Sequence, residues 1–226
     1  SANRKRNIFI ILTIALASAL LSAIVLYGFG VMQETQNRNQ KTAQIMYHAI
    51  SEQQGQELYK QEEIAWVGEF FNAFSEQVNH STVNFTYANA DMLKSQSMPY
   101  SGDLPASENE IVVQESFLDS LGYSNELGQT IQIPFSDGTT HDFKLTGILD
   151  VKTGDIGRYT AIISKELVRQ QYGDGGMIDY YIGLKGAQNM SEEEATNYAN
   201  TLAQQLEISD DNVIVRSTYF NLKDEN

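Results

Sequence analysis

The chain has 226 residues, of which 42% are hydrophobic, and it carries a formal net charge of -14 at pH 7. So acidic a surface repels phosphate backbones, which argues against nucleic acid as a partner. The chain contains no cysteine, and this excludes disulfide bonds, thiolate nucleophiles and cysteine-based metal sites.

The first predicted element is a membrane-spanning helix. Residues Ile8–Met32 are uncharged and mostly apolar, and at about 1.5 Å per residue this run exceeds the ~30 Å hydrocarbon core of a bilayer. The basic cluster Arg4–Arg6 precedes the run, so residues 1–32 are predicted as a cytoplasmic flank and span that leaves the remainder outside. A cleaved signal peptide is the alternative, because Ala17–Ala19 resembles a cleavage site. Apolar residues continue well beyond that site, and this favours a retained span.

Small residues follow one stripe of the predicted span. They are Ala15, Ala19 and Ala23 at a spacing of four, with Ser18 and Ser22 beside them. Such a stripe lets another membrane helix approach closely, although alanine is also common in membrane helices generally. Residues 33–42 are polar throughout and form a predicted stalk, either as a continued helix or as a flexible linker.

Two distant segments follow one strand–helix–strand plan. In the first, the predicted strand Gln44–Ile50 is followed by the capping box Ser51–Gln54, a short helix and the strand Ile64–Phe71. In the second, the strand Tyr180–Lys185 precedes a capping box, a helix with apolar residues at helical spacing, and a final strand Val213–Phe220. The second capping box pairs Ser191 with Glu194.

Two β-α-β units of this kind predict an α+β fold, a ferredoxin-like or porter-type sandwich of four strands and two helices. Residues 43–89 and 177–221 would form it, with the first and last strands side by side and antiparallel. Both ends of the domain would then point toward the membrane.

Residues 90–176 are predicted to be an inserted, smaller mixed subdomain that lies furthest from the bilayer. It combines two strand-then-helix patterns, around residues 110–122 and 159–173, with a hairpin. In the hairpin, Ile131 and Ile133 alternate before the turn Asp137–Gly138, and Phe143 and Leu145 alternate after it.

No catalytic, cofactor or metal site is predicted. The three histidines, His48, His80 and His141, have no partner at metal-ligand spacing. The aromatic residues Trp66, Phe70, Phe71 and Phe74 have two interpretations. They pack a core, or they line a partly exposed apolar groove for a peptide, lipid or partner.

Short stretches along the chain resemble the MacB/FtsX-like permeases of ABC transporters. They are "NRKRN" before the span, "YHAISEQQ" in the first unit, "LP" before "EIVV", and then "LGY", "LGQTI" and "FKLTGIL" in that order. The resemblance covers nearly the whole chain, and it implies a porter-like β-α-β pair with an inserted second subdomain. It also implies that residues 222–226 approach a second membrane helix, and that the chain is a fragment of a permease with three further membrane helices.

The function implied by this resemblance is non-enzymatic. The chain would be the first membrane helix and extracytoplasmic domain of a permease, coupled to ATP hydrolysis by a separate cytoplasmic ATPase subunit. Its expected partners are that ATPase, the rest of the permease, a second copy in a homodimer or pseudo-dimer, and membrane lipid. The cargo or signal would be a peptide, lipid or lipoprotein. The alternative is a single-span, membrane-anchored extracellular sensor or ligand-binding protein.

Overall fold

The computed structural model describes residues 18–27, 41–151, 157–173 and 178–224, and the side chains of residues 222–224 lie outside the description. The chain divides into two compact units, Ser1–Gln40 and Lys41–Asn226. In the first unit, residues 18–27 are helical, and the rest of the predicted span, together with residues 33–40 of the predicted stalk, lies outside the described residues. No helix in the described ranges is both long enough and apolar enough to span a bilayer.

The second unit contains ten strands within the described residues. In chain order they are β1 (Ile45–Ile50), β2 (Ile64–Val78), β3 (Ser81–Ala88), β4 (Tyr100–Gly102), β5 (Glu110–Gln114), β6 (Thr130–Pro134), β7 (Thr140–Leu149), β8 (Arg158–Ile163), β9 (Ile178–Leu184) and β10 (Val213–Val215).

Six α-helices accompany these strands in the described part of the unit. They are α1 (Glu52–Leu58), α2 (Ala90–Ser95), α3 (Glu115–Leu121), α4 (Lys165–Tyr172), α5 (Glu192–Gln205) and α6 (Ser217–Asp224). Both predicted capping boxes are confirmed at the helix starts. Ser51 and Gln54 cap α1 reciprocally, and Ser191 and Glu194 do the same for α5.

The strands form one mixed sheet in the order β10-β1-β9-β2-β3-β8-β5-β7-β4, with β6 paired to β7. Its first four strands have the order of a ferredoxin-like sheet, which confirms the predicted fold class. As predicted, the first and last strands pair antiparallel, with Ile45 opposite Val215. We call β10-β1-β9-β2 with α1, α5 and α6 the first half, and β3-β8-β5-β7-β4 with β6, α3 and α4 the second half.

The predicted hairpin in the second half is also confirmed. Strands β6 and β7 pair antiparallel, with Ile131 opposite Phe143. Gly138 occupies the turn with a φ of 87°, a left-handed conformation that glycine adopts without strain. The Asp137 carboxylate accepts a hydrogen bond of 2.8 Å from the Thr139 backbone.

One predicted strand is wrong in its second part. Strand β10 ends at Val215, and residues from Ser217 onward form α6. The adjacent residues Tyr219 and Phe220 are both buried in the same apolar cluster. Neighbouring residues of a strand point to opposite faces, so only a helical turn buries both rings on one side.

Helices α1, α3, α4 and α5 cover one face of the sheet. Two apolar clusters lie under them. The cluster of the first half contains Leu58 of α1 and Leu202 of α5, and that of the second half contains Phe117 of α3 and Leu167 of α4. The opposite face, which we call the open face, carries a smaller cluster around α2.

Candidate functional site

A buried acid lies where the two apolar clusters of the covered face meet. Glu69 is in the middle of β2 and only 4% exposed. Strand alternation places it on the same face as Val67 and Phe71. Because a buried carboxylate is costly unless it is paired and hydrogen-bonded, its partners determine the structure of this region.

Glu69 has three side-chain partners, and each comes from a different element. The Tyr59 hydroxyl, just after α1, donates to Oε1 at 2.7 Å. The Tyr87 hydroxyl of β3 donates to Oε2 at 2.6 Å, and Nζ of Lys165 in α4 donates to the same oxygen at 2.9 Å. Glu69 of the first half is therefore neutralised by Lys165 of the second half.

A second acid extends the network toward solvent. Glu52, in the first turn of α1, lies 3.2 Å from Nζ of Lys165. Arg169 of α4 also binds Glu52 with two donors, Nε to Oε2 at 3.2 Å and Nη2 to Oε1. Two-donor arginine–carboxylate pairs are the more specific kind of ion pair. We call Glu52, Glu69, Lys165 and Arg169 the charged seam.

The ionisation of these groups reflects their surroundings. Burial would raise the pKa of Glu52, but the hydrogen bonds from Arg169 and Lys165 outweigh it, and the pKa is lowered overall. Burial, together with the neighbouring Glu69, raises the pKa of both Tyr59 and Tyr87. At neutral pH both phenols therefore keep the proton that they donate to the carboxylate.

A buried hydroxyl beside the charged seam lacks a partner. Tyr180 of β9 is fully buried, and within the described residues its hydroxyl makes no hydrogen bond. The ring packs directly against Gly55 of α1, where a Cβ would overlap it. Glycine at this position lets α1 approach the sheet closely.

The open face carries a groove of about 250 Å³ beside α2. Its lining combines apolar and uncharged polar side chains: Phe70, Leu93, Met98 and Ile162 with Asn72, Asn84, Thr86, Gln96 and Thr160. Such a lining suits a small, uncharged polar ligand better than an ion.

The four predicted aromatic residues do not form one surface. Trp66 and Phe70 face the open side, where Trp66 lies against Gly183 and Phe70 lines the groove. Phe71 contacts Tyr172 with ring centroids 5.2 Å apart, and Phe74 stacks on Phe85 at 4.6 Å, both on the covered side.

A β-bulge explains this division of the aromatic residues. The register between β2 and β3 shifts between Asn72 and Phe74, which turns Phe74 to the same face as Phe71. Of the four, only Phe70 lines the groove. Ligand binding in this groove stays a prediction.

The other residues named from the sequence are placed as follows. Ala15 lies outside the described residues. Ser18, Ala19, Ser22 and Ala23 are on the helix of the first unit and exposed, and the Ser22 hydroxyl donates to the carbonyl of Ser18.

A histidine left without a partner in the sequence analysis has one in the structure. His48 Nδ1 lies 2.7 Å from an Asp179 carboxylate oxygen. In the described part of the chain, no group of three or more histidine and acidic residues is arranged to hold a metal ion.

No part of the charged seam was predicted from the sequence. One signal was present, because Glu69 interrupts the apolar run "AWVGEFF" at a position whose neighbours at i−2 and i+2 are Val67 and Phe71. An acid in phase with a buried face indicates a buried partner. Lys165 and Arg169 are about 100 residues away, and nothing in their local pattern identifies them as that partner.

Comparison with proteins of known structure supports the same fold. The periplasmic region of MacB from Actinobacillus actinomycetemcomitans superposes with a TM-score of 0.55 at 13% identity, over 80% of this chain and 92% of that one. The extracellular domain of the noncanonic ABC-type transporter YknZ from Gram-positive bacteria gives 0.55 at 10% identity, over 77% and 98%.

Sequence comparison gives a match to a protein family but none to a curated protein. No curated protein matches the chain. The sequence profile of one family, the MacB-like periplasmic core domain, matches residues 8–211, which confirms the resemblance found in the sequence. The chain therefore belongs to the family of MacB-like periplasmic core domains.

Proposed function

We propose that this chain is the extracytoplasmic domain and first membrane helix of an ABC transporter permease, and that it relays ATP-driven movement of the membrane helices to the outside. Family membership supports the transporter class, since two structural neighbours are the outer regions of MacB and of an ABC-type transporter. The ATPase would be a separate cytoplasmic subunit, and this chain would carry no catalytic residue or cofactor of its own.

The observation that carries the proposal is the meeting of the domain's entry and exit. Strand β1 begins opposite the end of β10, where Ile45 faces Val215, and the Arg216 backbone N–H donates to the carbonyl of Gln44 at 2.8 Å. Because its entry and exit lie on one edge, the first half would move when the attached segments move.

The finer parts of the proposal rest on analogy with the family. The N-terminus would be cytoplasmic, and the small residues Ala15, Ser18, Ala19, Ser22 and Ala23 would pack against further helices of the permease. Two copies would assemble as a dimer in the lipid bilayer. A peptide, lipid or lipoprotein would be the cargo or the signal.

Because the chain has no cysteine, one introduced cysteine tests both location and coupling. Asn200→Cys places it on the exposed side of α5. In intact cells that express the permease, a membrane-impermeant maleimide should label this site. In vesicles that also contain the ATPase, an environment-sensitive fluorophore there should change its emission between the ATP and the vanadate-trapped states.

The matched control is an ATPase whose P-loop lysine is replaced, which binds the same permease without hydrolysis. Absence of labelling in intact cells would refute the location. Emission that is the same with active and inactive ATPase would refute the coupling.

The groove on the open face favours a second candidate function, a membrane-anchored sensor of a small polar ligand. A sensor would be labelled from outside in the same experiment, but its emission would not depend on hydrolysis. The two functions are therefore separated by one measurement.

A further inference from the structure

Among the described residues, a single strand joins the two halves of the sheet. Strand β2 pairs with β9 from Ile64 to Phe70 and with β3 from Phe70 to Val78. The pairing with β9 on one edge of β2 therefore ends at Phe70, where the pairing with β3 on the other edge begins. Around Phe70 the sheet is at its narrowest, and a rotation about this point breaks few ladder hydrogen bonds.

The helix layer is divided at the same place. Within the described residues, α1 and α5 pack on the first-half cluster, and α3 and α4 pack on the second-half cluster. The charged seam crosses from α1 to α4 directly above residue 69, the neighbour of Phe70. On the covered face, the sheet and the helix layer thus have their junction at one position, whereas on the open face α2 contacts Gly68 of β2 and shares an apolar cluster with Ile162 of β8.

The junction contains apolar contacts, because Phe71 and Tyr87 pack against both clusters, but its charged part is easier to open than an apolar surface of the same size. Separating apolar surfaces exposes them to water at roughly 25 cal/mol per Å², whereas separated charges regain hydration that offsets the lost ion pairs. The ion pairs of the charged seam also differ in how deeply they are buried. The exposed side-chain fractions are 39% for Arg169, 31% for Glu52, 18% for Lys165 and 5% for Glu69.

From these observations we infer that the domain hinges at Glu69–Phe70, and that the charged seam is the latch that holds the hinge closed. The outer pair, Arg169 with Glu52, breaks first, and the inner pair, Lys165 with Glu69, breaks second. This inference goes beyond the proposed function, because the motion belongs to this chain and requires no ATPase.

The experiment measures the distance between the halves in the full chain in detergent, without any partner. Spin labels are placed at Asn200→Cys on α5 and Asp119→Cys on α3, two exposed sites away from the latch. Arg169→Gln removes the outer pair and leaves Lys165 with Glu69. We expect a longer-distance population to rise about fivefold, the effect of losing one partly exposed ion pair.

The matched control is Lys60→Gln, which removes an exposed ion pair between Lys60 and Glu57 within the first half. Its distance distribution should equal that of the unsubstituted chain. Circular dichroism of each variant verifies the fold. The inference is overturned if Arg169→Gln leaves the distribution unchanged, or if Lys60→Gln shifts it equally.

Discussion

Two fully buried tyrosines show how one hydrogen bond changes the role of a residue. Tyr47 donates its hydroxyl proton to the carbonyl of Ala199 at 3.0 Å and so ties β1 to α5. Tyr180, in the neighbouring strand, makes no such bond within the described residues. Both residues are tyrosines with fully buried side chains. A difference in stability after removal of each hydroxyl group therefore reports on the hydrogen bond of Tyr47.

Removing the two hydroxyls should therefore have opposite effects. Tyr180→Phe deletes an unsatisfied buried group and should raise the free energy of unfolding by about 1 kcal/mol, whereas Tyr47→Phe should lower it by about 1 kcal/mol. Urea denaturation of both variants measures the difference. Equal destabilisation by the two substitutions would mean that the Tyr180 hydroxyl is hydrogen-bonded in solution.

Helix α1 shows how an element is positioned by its smallest residue. Gly55 is buried in this seven-residue helix and contacts the ring of Tyr180. The close approach brings Glu52, one turn earlier, within reach of α4. The position of the helix, and with it the charged seam, thus depends on the absence of a Cβ.

Gly55→Ala should be destabilising although alanine is the better helix former. The intrinsic preference favours alanine by up to about 1 kcal/mol, but the added methyl group overlaps the Tyr180 ring, and overpacking costs about 1–3 kcal/mol. We expect a lower melting temperature for this variant. Gln56→Ala, on the exposed side of the same helix, should leave the melting temperature unchanged or raise it.

Elements with local signals were predicted well, and elements with distant determinants were not. The capping boxes at Ser51 and Ser191 and the turn at Gly138 depend on neighbours a few residues away. By contrast, β2 extends to Val78 because β3 pairs with it, and no strand was predicted at residues 81–88. The bulge at Asn72 likewise has no signal in the sequence, so the separation of Phe70 from Phe74 could not be foreseen.

At the scale of the whole molecule, topology was predictable because repetition revealed it. Two similar strand–helix–strand segments, far apart in sequence, predict the ferredoxin-like order and the antiparallel pairing of β1 with β10. The strand order of the second half could not be predicted in this way, because it depends on pairing between residues as distant as Ile111 and Ile163. The charged seam could not be predicted for the same reason, because its charged residues come from both halves.

The register of the closing pair can be tested with disulfides. Met46 faces Ile214 across β1 and β10, so Met46→Cys with Ile214→Cys should form a disulfide on oxidation, detected by mass spectrometry. In the control pair, Val215→Cys replaces Ile214→Cys and points to the other face. Faster cross-linking of the control pair would indicate a register shifted by one residue.

The burial of Tyr219 and Phe220 in the first-half cluster has a mechanical consequence. Strand β10 contributes only three residues to the edge of the sheet, and it would peel away one bond at a time under tension. A force applied at the C-terminal end of α6 would meet the two rings first, because they must be extracted from their cluster before the strand is loaded. The domain can thus be pulled from its C-terminal side while the strand that closes the sheet stays in place.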